Sequence, residues 1–547
     1  MSVHQGFRRV PVPQQAMQQM QVTMLPAPTR GIVESENLAY MTPGSALVQD
    51  NWAPTQRGVR LRGGCIRWCD LHALDTPVPP VPDPSRKPII SSFSYSSRNI
   101  QRMFAAQQTK LFDVTAELPI LVRDNQTSGN YASAQMSNAA GDWMIAVNDG
   151  GDLPLRFDGA NWVTLTDADI TGPPLGVKLS YVWKYRNRLF FVQQGSMNAW
   201  YLGLNAISGA ANMIPLSGAA TRGGKLLFGA TWSLDAGDGI DDKCVFCTDL
   251  GELLIFTGGD PGNAANWRQE GRYDIGGAPL GMNAHATVGG DLLIATVTGI
   301  VPVSAAITKD SIQLELAAIT RPIKTMWRNE MLAKRDFPWT MQNWSEYGGL
   351  FVAVPGGKPG DRLCLLVNIA NGAWARFVGW DATSWIRMRG DMFFGTQDGI
   401  VMQADRTGYD DGKPYVATLV GNWEVFRSQG STTTWRQARV SFSAMANEQF
   451  QPQVTAITDY LIHIPPPPIA SFDPGLQDVW DQGKWDVAKW DQPSVGAEVV
   501  RNTGWVSIGT TGFTHAPVVQ VLVAQQARPR VELIAIAATY ERAGYNV

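Results

Sequence analysis

Five cysteines are the first side chains in this sequence that could bind a metal or form disulfides: Cys65, Cys69, Cys244, Cys247 and Cys364. Cys244 and Cys247 have the C-x-x-C spacing, but they lie in an apolar, strand-like run, where residues three apart point to opposite faces. A zinc site would require all four thiolates of the two pairs to meet. An odd, sparse set is also not a disulfide framework. We therefore predict buried free thiols.

Carboxylates and histidines give no stronger candidate for chemistry. Asp235, Asp238, Asp241 and Asp242 crowd one Gly-rich loop that could hold calcium, but their spacing lacks the alternation of known calcium loops, so a solvated loop is favoured. No nucleophile elbow, P-loop or dinucleotide fingerprint accompanies the five isolated histidines. Ser431 to Trp435 is the nearest text to a sialidase Asp-box and lacks its Asp and Gly. We predict no catalytic, cofactor-binding or metal-binding residues, and hence no enzyme.

Residues 31–64 contain the candidates for interaction by charge and by aromatic packing. Arg57, Arg60 and Arg62 could contact phosphates, but the nearby Asp50 and Glu34 favour ion pairs or a subunit contact. In the run DNWAP (50–54) the proline disfavours helix at the residue before it, so the run is a bend anchored by the indole of Trp52.

A second candidate for interaction is a tryptophan-rich insertion at residues 465–495. Trp480, Trp485 and Trp490 recur every five residues, and each is followed by Asp. A spacing of five fits neither a strand nor a helix. The insertion either folds over its own sheet or presents the rings to a partner, and the sequence leaves both open.

Composition narrows the class of protein. Of 547 residues, 17% are charged, which is below the roughly 25% of ordinary soluble domains. Broad neutral surfaces on a large chain favour burial against partner subunits. The net charge of −3 argues against a DNA-binding factor, though not against a channel through which DNA slides. The longest apolar run, 531–540, is too short to span a membrane, so we expect no membrane insertion.

One short cassette recurs and predicts the fold. The copies GDLLIATVTGIVPV (290–303) and GDMFFGTQDGIVMQ (390–403) are nearly the same, and looser copies begin at 99, 141, 187, 242 and 349. A period of about 40–50 residues with paired strands is the signature of β-propeller blades. We predict an all-β protein whose propeller has six or seven blades.

The predicted domain boundaries follow from where this repeat begins and ends in the sequence. We predict a flexible arm at 1–30, a clamp segment and Pro-rich linker at 31–85, the propeller at 86–415, and a β-sandwich-like domain at 416–547. The stretch 31–64 should pack between propeller and sandwich with Trp52 buried, and a terminal segment should close the ring of blades.

The order of these motifs resembles the tail nozzle (tail tubular, or hub) proteins of short-tailed bacteriophages. The resemblance is carried by PTRGIVESENLAYMTPGSALVQDNWAP (28–54), RGVRLRGG (57–64), KLFDVT (110–115), GTQDGI (395–400) and VELIAIAATYERAG (531–544). It implies a virion protein of the viral tail, assembled in the host cytoplasm as a homohexameric ring below the portal and adaptor. DNA would leave through the ring without specific binding, tail fibres or spikes would be partners, and no catalytic residue is implied.

Two alternatives come from other classes of protein. One is a secreted carbohydrate-active propeller enzyme, against which the missing Asp-box and the absence of a recognisable secretion signal argue. The other is a receptor-binding fibre or spike, which tends to be trimeric and to have a different repeat length.

Overall fold

The computed structural model describes residues 20–174, 176, 178–233, 241–356, 361–426, 431–445, 448, 450–468 and 498–542. The fold is a β-propeller joined to a second β domain. The N-terminal part of the chain contributes strands to both domains. These five strands are β1 (Gln21–Pro26), β2 (Ala46–Asp50), β3 (Trp52–Pro54), β4 (Val59–Leu61) and β5 (Gly64–Asp70). A 3-10 turn, Leu38–Tyr40, lies between β1 and β2.

Four sheets of four strands follow in chain order and form the first four blades. The first two blades comprise β6 (Ser91–Ser96), β7 (Gln101–Ala106), β8 (Leu111–Asp113) and β9 (Ile120–Arg123), then β10 (Ala132–Asn138), β11 (Gly141–Val147), β12 (Leu155–Phe157) and β13 (Trp162–Thr164). After β14 (Ile170–Thr171), the third comprises β15 (Leu179–Tyr185), β16 (Arg188–Gln193), β17 (Asn198–Tyr201) and β19 (Asn212–Pro215); β18 (Gly209–Ala210) pairs with β14. The fourth comprises β20 (Leu226–Trp232), β21 (Lys243–Thr248), β22 (Glu252–Thr257) and β23 (Arg268–Asp274).

The later blades are less regular. The fifth has three strands, β24 (His285–Val288), β25 (Asp291–Thr296) and β26 (Gly299–Pro302), followed by helices α1 (Val303–Ala306), α2 (Ser311–Ala317) and α3 (Lys324–Lys334). The last has β31 (Ser384–Met388), β32 (Asp391–Gly395), β33 (Ile400–Thr407) and β5. Between them, β27 (Thr340–Trp344), β28 (Gly349–Val354), β29 (Leu363–Asn368) and β30 (Trp374–Phe377) fill a blade position but belong to an eight-stranded sheet. Six blades are thus separate sheets, and a seventh blade position is filled by four strands of a sheet that continues into the second domain.

The ring is closed by the N-terminal strand β5. It pairs antiparallel with β33, from Asp70 opposite Ile400 to Gly64 opposite Thr407. The first and last blades then touch, and Ser92 Oγ donates to Ser384 Oγ at 2.8 Å. The prediction of closure by a terminal segment is confirmed, with the closing strand at 64–70, at the end of the 31–64 stretch and mostly beyond it.

The second domain is a sandwich of two sheets. Its strands are β34 (Tyr415–Gly421), β35 (Thr433–Met445), β36 (Pro452–Thr458), β37 (Glu498–Asn502), β38 (Val506–Gly512), β39 (His515–Val523) and β40 (Val531–Arg542). One sheet runs β3-β4-β40-β35-β37, with β1 on β40 and β38 on β35. The other continues from the propeller in the order β30-β2-β34-β39-β36. Buried side chains from both sheets form one apolar core.

The N-terminal segment corrects the predicted domain plan. Residues 21–26 are not part of a flexible arm, because β1 pairs along its whole length with β40. Residues 31–85 are not a separate element, because β2 lies between β30 and β34 and makes the propeller and sandwich share a sheet. The clamp between the two domains is confirmed. Residues 1–19 and most of the predicted tryptophan-rich insertion lie outside the described residues.

Candidate functional site: a buried arginine junction and an open groove

Asn51 is the turning point between β2 and β3. Its φ of 63° lies in the left-handed region, which asparagine tolerates better than most residues. Its side chain is buried and contacts both domains: Nδ2 donates to Val416 O at 2.7 Å, and Oδ1 accepts from Val378 N at 2.9 Å. The same oxygen accepts from Arg62 Nε at 2.7 Å. The turn thereby places an amide where the propeller, sandwich and β4 meet.

The guanidinium of Arg62 is fully buried, and all five of its N–H groups have acceptors. Beyond the bond to Asn51, Nη1 donates to Gly63 O and to Asp410 Oδ1, both at 2.9 Å. Nη2 donates to Val378 O at 2.8 Å and to Asp410 Oδ2 at 2.6 Å. A buried charge is tolerated only when it is paired and hydrogen-bonded. No donor is left for a phosphate, so this arginine acts as an internal tie.

Aromatic rings surround the same guanidinium. Its central carbon lies 4.0 Å from the ring centre of Tyr415, 5.3 Å from that of Trp380 and 5.7 Å from that of Phe377. The Tyr415 hydroxyl donates to the Arg62 carbonyl. Burial alone would lower the pKa of Arg62, but the Asp410 carboxylate outweighs it, so the pKa rises and the charge persists at any working pH.

Two glycines allow the strand next to Arg62 to approach the 405–410 segment closely. A Cβ on Gly63 would lie 2.4 Å from Asp405 Oδ1, and one on Gly64 would lie 2.0 Å from Tyr409 O. Gly63 N donates to Asp405 Oδ1 at 2.7 Å, and Asp405 also pairs with Arg528 at 2.7 Å. The sequence Arg-Gly-Gly at 62–64 is thus explained by the close approach of its backbone to the 405–410 segment.

The other predicted arginines lie at the edge of this junction. Arg60 lies over the ring of Tyr347 at 4.2 Å, whereas the Arg57 side chain is exposed. Asp50, one of the acids expected to pair with the arginines, instead binds Arg376 through bonds of 2.6 and 2.8 Å. Burial raises the pKa of Asp50, and Arg376 opposes that rise.

Glu34, the other acid, accepts from Met326 N at 2.8 Å. The expectation of ion pairs therefore holds for Arg62, but with partners that the sequence did not indicate. Of the two alternatives for Arg62, an ion pair or a subunit contact, the structure shows the ion pair, and the side chain is 0% exposed.

Trp52 is 0% exposed, as predicted, and it lies in the core of the sandwich. Trp480, Trp485 and Trp490 fall outside the described residues. The junction residues that sequence reasoning missed are Asn51, Asp410 and Tyr415. The left-handed tolerance of asparagine and the turn text GYDDGK (408–413) were local signals, but neither points to an arginine far away in the chain.

The surface also has an open groove of about 1140 Å³, and none of the junction residues named above lines it. Its walls are the N-terminal segment, α2 with the turn before α3, and the loop 370–372. Two of its walls each carry an ion pair of their own, Arg30 with Glu36 at 3.9 Å on the N-terminal segment and Lys324 with Glu315 on the helical wall. A smaller cavity of about 260 Å³ adjoins it and shares Gln56 as lining. The mixed charges would suit a polar protein surface better than a phosphate chain.

The remaining predictions concern the cysteine thiols and possible metal sites. All five cysteines are free and buried, as predicted, and burial raises the pKa of Cys69 to about 12. Within the described ranges, no three or more His, Cys, Asp or Glu side chains gather as a possible metal site. Residues 234–240 of the aspartate-rich loop lie outside those ranges. Of the described helices, none has the length and apolar character needed to cross a bilayer.

Comparison with known proteins gives a fold likeness only. No protein-family model and no curated protein matches the chain. The extracellular domain of a proposed hybrid two-component system from B. thetaiotaomicron aligns at 10% identity and a TM-score of 0.37, over 64% of this chain and 44% of that one. The extracellular domain of a proposed one-component system from that organism aligns at 9% and 0.39, over 75% and 57%. The chain thus spans about half the length of these two domains.

A third similar structure is the computationally designed Ika8 protein, at 11% identity and a TM-score of 0.31, over 58% of this chain and 96% of that one. TM-scores this low carry no argument about function.

Proposed function

We propose that this chain is the structural subunit of a phage tail nozzle, a homohexameric ring through which DNA leaves the capsid. The observation that carries the proposal is the position of the text that resembles nozzle proteins. Residues 28–64 are the part of the chain that ties propeller to sandwich, through β2, Asn51 and Arg62. The segment that resembles nozzle proteins is therefore the one that joins the two domains, which supports a structural role.

The junction suits a wall that must keep its shape while a polymer passes. Arg62 and Asn51 connect strands of both domains through short bonds in a site where both side chains are buried, and burial strengthens such bonds. The chain carries a net charge of −3 and little charge overall, so DNA would pass without specific binding. The same neutrality supports broad contacts between copies and with the portal–adaptor complex and tail fibres or spikes.

Mass measurement and negative-stain imaging of the purified chain, alone and mixed with the portal–adaptor complex, test this proposal. We expect rings of six around an open channel, in virion tails and on the adaptor. The exposed Arg57→Met variant is the matched control for Arg62→Met, which should impair assembly. A trimer would favour a spike, and a monomer that binds or cleaves glycans and ignores the adaptor would favour the enzyme.

A further inference from the structure

The first surface of interest is an apolar strip on β1. Met20, Val22 and Met24 alternate along one face and are 55%, 63% and 56% exposed. Among the described strands, β1 pairs only with β40, so its other edge is open. An open edge bearing apolar side chains is a site where another chain can add. No charged residue lies within Gln21–Pro26 to oppose such pairing.

The second surface lies at the opposite edge of the sandwich. Leu461 and Ile462 follow β36 and are 72% and 53% exposed, and Phe513 follows β38 and is 54% exposed. The two loops are fixed to each other, because Phe513 N donates to Asp459 Oδ1 at 2.7 Å and Asp459 N donates to Thr514 O. We call Leu461, Ile462 and Phe513 the distal patch, and Met20, Val22 and Met24 the β1 strip.

The two surfaces cannot meet within one copy. The strand order β1-β40-β35-β38 separates the edges by three strand spacings, about 14 Å. Both lie at the same end of the sheet, since Gln21 is opposite Tyr540, Tyr540 is opposite Trp435, and Trp435 is opposite Thr510. Each copy therefore presents two apolar surfaces at the same end of the sheet and at opposite edges.

We propose that the β1 strip of one copy binds the distal patch of the next copy of this chain. Two different surfaces on one molecule give a head-to-tail contact, which closes into a ring when the rotation allows. Their shared apolar character makes each a match for the other, because association removes both from water. The inference names the surfaces that form the ring, and so it rests on the proposed function.

Two double variants of the full chain separate the surfaces. Val22→Lys/Met24→Lys places charge on the β1 strip, and Leu461→Lys/Ile462→Lys places charge on the distal patch. The matched control is Leu118→Lys/Ile120→Lys, at alternating positions that are 70% and 60% exposed beside the first blade. Native mass spectrometry and imaging should show rings for the control and at least a tenfold loss of rings for each double variant.

Mixing the two double variants is the decisive step. Each mixture retains one intact pair of surfaces, the strip of one variant and the patch of the other, so 1:1 pairs should form and grow no further. If no pairs form, the head-to-tail proposal is wrong, and pairs formed by one double variant alone would show a two-fold contact instead. Rings that survive both double variants would overturn these surfaces while leaving the nozzle function standing. A wild-type chain that forms no ring, alone or on the adaptor, would overturn both.

Discussion

The N-terminal segment departs from the usual pattern of burial at two positions about forty residues apart. At Arg62 a charged side chain is 0% exposed, whereas at Val22 an apolar side chain is 63% exposed. The first is tolerated because every acceptor it needs is supplied by its own chain. The second has no cover among the described residues. The comparison separates contacts completed within one subunit from a surface that needs a second molecule.

The largest expected loss of stability comes from replacing the buried arginine, Arg62. Arg62→Met should destabilise the fold by about 3–5 kcal/mol, because it removes the charged partner of Asp410 and the donors to the carbonyls of Gly63 and Val378. Arg57→Met, at an exposed position, should change stability by less than about 0.5 kcal/mol. Urea denaturation followed by tryptophan fluorescence measures both. Equal midpoints for the two variants would show that the junction is not a structural tie.

A somewhat smaller loss is expected from the apolar part of the clamp. Trp52→Ala should cost about 3 kcal/mol, because it removes a fully buried indole from the sandwich core. Trp505→Ala, at a 41% exposed position, is the control and should have little effect. If thermal stability and ring assembly are both unchanged in Trp52→Ala, the clamp interpretation should be abandoned.

A partly buried histidine in the propeller, His285, should make the stability of the fold depend on pH. His285 stacks on Phe228 at 4.3 Å, and its Nε2 lies 3.3 Å from the Tyr181 hydroxyl. Burial lowers the pKa of His285 to about 4, so between pH 6.5 and 4 the histidine is protonated in the unfolded chain and neutral in the folded chain. Stability should then fall as pH drops from about 6.5 towards 4, by about 1.4 kcal/mol per unit.

The His285→Gln variant tests this, because glutamine does not titrate. Urea midpoints at pH 7.5 and pH 5 should differ more in the wild-type chain than in the variant. Matching pH dependence in the two proteins would mean that other groups control acid stability.

The smallest effect on folding is expected at the exposed end. Val22→Lys/Met24→Lys should change the free energy of unfolding by less than about 0.5 kcal/mol, since both side chains already face solvent. Melting followed by circular dichroism measures this on the same samples used for assembly. A large loss of stability would place the β1 strip inside the subunit and remove the contrast with Arg62.

The repeats were predictable because their signal is local. The cassette starts at 141, 187, 290, 349 and 390 fall at or next to the second strands of their blades. Those strands are buried on both faces and so appear as apolar runs, as in β28, where every residue is buried. The cassettes leave out the first strand of each blade. In the first blade the reason is plain, since β6 (SSFSYS) carries serine at alternate positions and is not an apolar run.

The tight turns before two cassettes were also predictable. Val288 pairs with Asp291 and Met388 with Asp391, and the two residues between each pair have positive φ. Glycine supplies that conformation at 289, 290 and 390, which matches the mirror-image turns of hairpins.

The sequence by itself determined the propeller, the sandwich, the burial of Trp52 and the free thiols, because strand period, turn chemistry and apolar runs act over a few residues. Only the tertiary structure decided that β5 completes the last blade, that β2 joins the two domains in one sheet, and that Arg62 binds Asp410, 348 positions away. Such pairings depend on how whole sheets are placed. Many acids in the sequence could satisfy one arginine equally well, and only the folded chain brings one of them within 3 Å.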